Sequence, residues 1–287
     1  MKKQKILDRL MGIVFRITAT ISIASVILIL VFIVINSIPA LREIGIFQFI
    51  TGKTWAPTDT PASFGLLPMI LGSIYVTAGA ILIGVPLGLF TAIFMARFCP
   101  PKLYKFLKPL IDLLAGIPSI VYGFFGLVFI VPLVRTVLGG TGNSILTASI
   151  LLGIMILPTI IGLSEAAIRA VPQSYYEGAL SLGATHERAV FTLLLPAAKS
   201  GIFASVILGI GRAIGETMAV VMVAGNQARV PTGILNGVRT MTSSIVIEMG
   251  YAADLHRGAL IASGLVLFVF ILILNIAFSL LNTRKGA

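Results

Sequence analysis

The chain has 287 residues, 57% of them apolar and 11% charged, where a soluble domain averages roughly 25% charged. So few charges cannot build a water-facing surface, so the composition excludes a soluble fold and calls for lipid as the solvent. The net charge of +11 does not indicate nucleic acid, because the cations sit in short loops beside apolar runs and no basic patch carries interleaved aromatics.

A spanning helix needs ~20 mostly apolar residues, because the hydrocarbon core is ~30 Å thick. Six runs qualify, near residues 13–38, 69–96, 109–137, 145–164, 200–225 and 257–282. Backbone polar groups in lipid must be bonded internally, and dyad alternation is absent, so the runs are read as helices and not as a β-barrel. Lys2, Lys3 and Lys5 precede the first run, as they would a signal peptide. The run is too long for an h-region of roughly 7–15 residues, and no clear A-x-A site follows, so it is read as a retained span. Residues 39–68, with Trp55, Pro57, Pro61 and Pro68, form an external loop expected to be irregular or interfacial.

The next runs are rich in breakers: Gly84, Pro86, Gly88, Gly116, Pro118, Gly123, Gly126, Pro132 and Pro158. These fit either close helix packing with tolerated kinks or hinges in a moving pathway. Cys99, the single cysteine, leaves no internal disulfide framework. Asp112 is read as interfacial, and His186 and His256 as solvated loop histidines. Residues 226–256, with Pro231, form a second long external loop. Fourteen lysines and arginines (2, 3, 5, 9, 16, 97, 102, 105, 108, 169, 188, 199, 284, 285) fall at one set of ends and six (42, 53, 135, 229, 239, 257) at the other, with Arg212 inside a span. The positive-inside rule puts both termini in the cytoplasm.

Residues 165–199 then form a cytoplasmic segment. Pro172 stops a helix, and Ser174-Tyr175-Tyr176-Glu177 reads as a capping box opening the next one. Gly183 can take the left-handed conformation that ends it. Thr185 can cap a following turn, with Glu187 near its positive end. Pro196 precedes the fifth span. The pattern is an elbow of two short helices, read as a docking element or as an amphipathic loop on the membrane surface.

Glu177, Gly178, Ala179, Gly183, Leu193, Leu195 and Pro196 keep the spacing E-A-A-x3-G-x9-I-x-L-P. This resembles the EAA motif of ABC importer permeases, departing at Gly178 (Ala in the motif) and Leu193 (Ile). The resemblance implies an all-α membrane protein of the type I importer permease class, with six transmembrane helices and a coupling-helix elbow that seats in a cytoplasmic ATPase. No Walker A pattern occurs in the chain, so ATP and Mg are expected on a separate polypeptide and no cofactor on this one.

The fifth run contains Gly211-Arg212-Ala213-Ile214-Gly215-Glu216-Thr217-Met218. Arg212 and Glu216, four apart, are expected to share a helix face. An ionisable residue in a span costs about 2.5–3.5 kcal/mol, so such residues face a bundle interior or a watery path. Glu216 reads as a self-neutralising partner of Arg212 or as a group tempering its charge. Arg212 itself presents a planar fork suited to phosphate-like oxyanions.

Gly211–Val221 (GRAIGETMAVV), Ser63–Ala92 and Leu113–Leu127 are similar to phosphate-specific permeases. Met218-Ala219 and the external Trp55-Ala56-Pro57 favour the PstC type over the related PstA type. The resemblance implies a transport subunit of the bacterial cytoplasmic membrane and not an enzyme. It further implies a second permease (PstA-like), two ATPases (PstB-like) and an extracytoplasmic phosphate-binding protein (PstS-like). Arg212, Glu216 and Thr217 would line the substrate pathway. The chain divides into 1–68, an N-terminal helix with its loop, and 69–287, a five-helix core. The alternatives are a permease for sulfate or molybdate, or a proton-coupled transporter using Glu216. The second lacks an inverted repeat and a further buried carboxylate for a relay. A membrane scaffold would leave a buried charge pair without use.

Overall fold

The computed structural model describes residues 2–284. Lys285, one of the basic ends counted above, lies outside them, as do the side chains of Lys2, Lys3, Lys5, Arg9 and Arg284. The chain is built of thirteen α-helices among the described residues, three π-helical turns and one two-stranded ribbon.

Helix α1 (Lys2–Ile44) is a long apolar rod lying along the last helix, with most of its side chains exposed. Gly45, at φ 85°, turns the chain into α2 (Ile46–Thr51). Strands β1 (Trp55–Ala56) and β2 (Ser63–Phe64) then pair antiparallel, Trp55 opposite Phe64. The loop expected to be irregular is therefore a folded cap, with Phe49, Trp55, Phe64 and Leu66 buried against Met69 and Met241.

Helix α3 (Leu67–Ile93) runs into a π-turn (Phe94–Phe98), and α4 (Pro101–Gly116) follows. The third run divides here, because the residue before a proline is driven out of the α region. Ile117 is extended (ψ 127°) ahead of Pro118. The span proper is Ser119–Leu138: α5 (Ser119–Phe125), a π-turn (Gly126–Ile130) and α6 (Val131–Leu138). Tyr122 Oη donates to the Leu114 carbonyl at 2.8 Å, bonding a backbone group freed by the break.

Helix α7 (Ile145–Arg169) is the most buried span and the axis of the bundle. Ser144 caps it by accepting from Thr147 N at 3.2 Å. Helix α3 packs on one flank and α10 on another. The packing reading of the glycines holds at this seam. A Cβ on Gly84 would lie 2.7 Å from Ile156, and one on Gly126 2.9 Å from Leu151. Gly116, by contrast, has open space around it. Pro86 and Pro158 sit inside continuous helices.

The elbow comprises α8 (Gln173–Ser181) and α9 (His186–Ala189). A π-turn (Val190–Leu194) carries α9 without interruption into α10 (Leu195–Gly215). The fifth span is thus His186–Gly215, starting earlier and stopping sooner than the apolar run 200–225. Helices α11 (Met218–Val223), α12 (Met241–Glu248) and α13 (Asp254–Arg284) complete the chain. Six helices among the described residues are long and apolar enough to cross a membrane.

Candidate functional site

The elbow has the bend predicted for it. Gly183 sits at φ 84°, and the amide of Ala184 returns to the Ala179 carbonyl at 3.1 Å. Thr185 caps α9 by accepting from Arg188 N at 3.3 Å. The capping box does not form. Pro172 occupies the cap position, Ser174 falls within the first turn, and no side chain caps α8. Proline pre-sets the extended geometry that a cap residue needs, so the helix begins two residues earlier than a Ser174 cap requires.

His186 is not a free loop residue. Its Nδ1 lies 2.8 Å from Tyr176 Oη, and its ring packs edge-on to Phe98 at 4.6 Å, pinning α8 and α9 to the end of α3. The outward face of the elbow carries Tyr175, Glu177, Gly178 and Leu180, all exposed, with Ala179 half-buried. Leu182 stands 91% exposed at the bend, apolar surface that needs a partner. Leu195 is half-buried and Pro196 exposed where α10 begins.

At the other end of α10 the predicted helix face is broken. The helix stops at Gly215, and Glu216 is extended (ψ 132°). Its carboxylate turns forward, accepting from Thr217 N at 3.1 Å and Ala219 N at 3.2 Å at the start of α11. Thr217 Oγ1 donates back to the Gly215 carbonyl at 3.1 Å, and Thr242 Oγ1 donates to the Glu216 carbonyl at 3.1 Å. No ion pair joins Arg212 and Glu216 among the described residues. Two backbone donors at a helix start offer a carboxylate charge-assisted bonds, and glycine before the break lowers the cost of leaving the helix. Arg212 is half-buried, and its Nη1 donates to Thr159 Oγ1 on α7 at 3.4 Å. The guanidinium is left with donors to spare and no carboxylate at ion-pair distance among the described residues.

Two buried carboxylates were not found from the sequence. Glu248, 4% exposed at the end of α12, accepts from Trp55 Nε1 at 2.8 Å and from Arg239 Nη1, and lies 2.8 Å from His256 Nε2. Residues from β1, the loop after α11, α12 and α13 thus meet at one acid. His256, expected to be solvated, has an 11% exposed side chain. Burial, then the Glu248 carboxylate, raises the Tyr251 hydroxyl above its ordinary range. Glu165, 3% exposed on α7, pairs with Arg169 (2.8 Å) and Lys108 (3.4 Å). Arg169 also donates to the Met95 carbonyl at 2.7 Å and stacks over Tyr104 at 4.6 Å. Burial opposes the charge on Lys108, but its bonds to Asp112 and Glu165 outweigh this and raise its pKa. Asp112 is exposed. The Glu165–Arg169 spacing of four was a readable signal; the Glu248 cluster, drawn from four elements, had none. Both acids are paired with cations, and they correct the expectation that the chain holds no further buried carboxylate.

A family model described as "Binding-protein-dependent transport system inner membrane component" matches residues 84–286. A probable ABC transporter permease protein, YqgH of Bacillus subtilis, is 37% identical over 99% of this chain and 94% of its own length. The phosphate transport system permease protein PstC of Mesorhizobium japonicum is 37% identical over 84% of this chain and 81% of its own. Among solved structures, a chain of the MetNI methionine ABC transporter aligns with a TM-score of 0.62 at 19% identity, covering 77% of this chain and 95% of that one. A chain of a bacterial alginate ABC transporter gives 0.65 at 14% identity, covering 93% and 94%. These two support the fold, a bundle of the importer permease class. The chain belongs to the family of binding-protein-dependent transport system inner membrane components and is a multi-pass membrane transport subunit.

Proposed function

We propose that the chain is a pore-forming permease subunit of an ATP-driven phosphate importer, of the PstC type. The observation that carries the reading is Arg212, a half-buried guanidinium in a span with no carboxylate at ion-pair distance among the described residues. An unpaired cation there is costly unless an anion visits it. Phosphate offers the oxyanion geometry that a guanidinium fork recognises. A pathway must also release its ion, and a single arginine with hydroxyl neighbours binds less tightly than a closed cage. Glu216 and Thr217 serve by holding the α10–α11 break next to Arg212. The similarity to phosphate permeases over most of the chain supports the substrate.

In this reading a PstA-like permease completes the pore, two PstB-like subunits hold ATP and Mg, and a PstS-like protein delivers phosphate from outside. This chain needs no cofactor of its own. Both termini lie in the cytoplasm of a bacterial cell, which the excess of basic residues at one set of ends supports. The substrate is tested by labelled phosphate uptake in cells lacking their own high-affinity permeases, with the partners co-expressed. Uptake should resist excess sulfate. Inhibition by sulfate, or an assembled complex that takes up no phosphate, would move the reading to another oxyanion.

The elbow, with Glu177, Gly178, Ala179, Gly183, Leu195 and Pro196, is the ATPase seat. Its exposed Leu182 and its rigid attachment through His186 support that role. A Cβ at Gly183 would meet nothing within 4 Å in this chain, so within the chain a substitution acts through the backbone. Left-handed backbone costs an L-residue roughly 1–2 kcal/mol, more for a β-branched one. Gly183→Val should therefore lower co-purification of the ATPase about tenfold, while Gly183→Asn, which tolerates the conformation, retains most of it. Equal recruitment by glycine and valine forms would remove the elbow from the interface.

A further inference from the structure

Helix α4 has three distinct edges. Ile111 and Tyr104 face inward, Ile111 buried with Met95 and Ile161. A second edge is apolar and open: Leu103 is 40% exposed, Phe106 64%, Leu110 43% and Leu113 68%. At 100° per residue these four fall within about 80° of one another on the helix surface. The third edge is basic. Lys102 and Lys105 are exposed with no ion-pair partner among the described residues, while Lys108 is turned to Asp112 and Glu165. Asp112, the acid on this edge, is paired with Lys108 at 3.3 Å and leaves Lys102 and Lys105 uncompensated.

The position of the helix is equally telling. One span ends at Phe98, with two residues between it and the Pro101 start of α4, and the next begins at Ser119, with two residues between it and the Gly116 end. Both connections are short, so α4 is held at the membrane boundary. An amphipathic helix with an apolar edge and a lysine edge lies in the interface, its leucines and phenylalanines among acyl chains and its lysines at the headgroups. We infer that α4 is a binding surface for anionic phospholipid, its headgroup phosphate on Lys102 and Lys105 and its acyl chains along Leu103, Phe106, Leu110 and Leu113. The charge fits an anionic headgroup, and the adjacent apolar edge favours lipid over an acidic protein. In the orientation proposed above the lipid belongs to the cytoplasmic leaflet. The binding itself does not depend on that orientation.

The test titrates the purified full chain in detergent with phosphatidylglycerol and, separately, phosphatidylcholine, counting retained lipid by native mass spectrometry. Wild type should prefer phosphatidylglycerol by about 30-fold, the preference that ~1 kcal/mol per lysine at an anionic surface gives for two lysines. Lys102→Gln/Lys105→Gln should abolish the preference without changing phosphatidylcholine binding. Lys102→Arg/Lys105→Arg should keep it, separating charge from folding. Lys53→Gln, in the cap between α2 and β1, should leave it unchanged. An undiminished preference in the glutamine variant, or none in wild type, would overturn the inference. So would an unchanged preference with loss of ATPase co-purification, which would assign the lysines to a protein partner. Orientation is read independently, by labelling Lys102→Cys in a Cys99→Ala chain with an impermeant thiol reagent in intact cells. Labelling there would overturn the cytoplasmic assignment and leave the lipid result standing.

Discussion

Replacing Arg212 with alanine is expected to lower phosphate uptake at least about 100-fold while the complex still assembles. A hydrogen bond to a charged group contributes about 1.5–3 kcal/mol, and an oxyanion held by a guanidinium fork loses two of them together. Assembly should survive, because the bond from the side chain to Thr159 is long, at 3.4 Å, and its loss costs the fold little. Arg212→Lys should be intermediate, since an ammonium keeps the charge and loses the fork. Glu216 separates two accounts of the site. As a counter-charge to Arg212, its neutralisation would change transport strongly. In the structure its carboxylate accepts two backbone amides of α11, which a glutamine amide oxygen can also do. Glu216→Gln should therefore retain uptake within about threefold, and Glu216→Ala should lose much more, because two amides are left without their acceptor. Full transport by the Arg212→Ala complex would remove Arg212 from the pathway.

The second large effect is on stability. Glu248→Ala should destabilise the chain by about 3–5 kcal/mol, the usual result of removing one member of a buried ion pair and leaving its partner uncompensated. The side chain of Arg239 is only 16% exposed, and Trp55 Nε1 would lose its acceptor as well. The acid also stands at the C-terminal end of α12, where the helix dipole opposes a negative charge, and the cation beside it is Arg239. Unfolding of the purified chain in a graded denaturing detergent would read the difference. Combining Glu248→Gln with Arg239→Met should recover part of the loss, because no charge is then buried alone. A loss below about 1 kcal/mol for Glu248→Ala would mean that the cluster is solvated and does not hold the external cap together.

Much of this was legible from apolar run length, because the hydrocarbon thickness imposes it on any spanning helix. All six spans lie where long apolar runs lie, and the left-handed Gly183 follows from glycine's place between two short polar helices. Boundaries failed where local chemistry outweighed hydropathy. Ile117-Pro118 splits the third run, and Gly215-Glu216-Thr217 ends the fifth although apolar residues continue to Ala224. The same break undid the expected Arg212–Glu216 face, since a spacing of four carries meaning only within one unbroken helix. Ser174 failed as a cap for a related reason: Pro172 already supplied the geometry. The cluster around Glu248 was illegible because Trp55 reaches it from 193 positions away in the chain, and nothing local marks such a meeting. His256 read as a loop histidine for that reason.

The most direct test of the central claim is phosphate uptake by the complex reconstituted in liposomes, with ATP on the side of the ATPase subunits and either an active or a hydrolysis-dead ATPase. The account predicts uptake that requires ATP, stops with the dead ATPase, and is unaffected when a pH gradient is imposed or removed. Uptake that persists with the dead ATPase and follows the pH gradient would contradict it and make the chain a proton-coupled transporter.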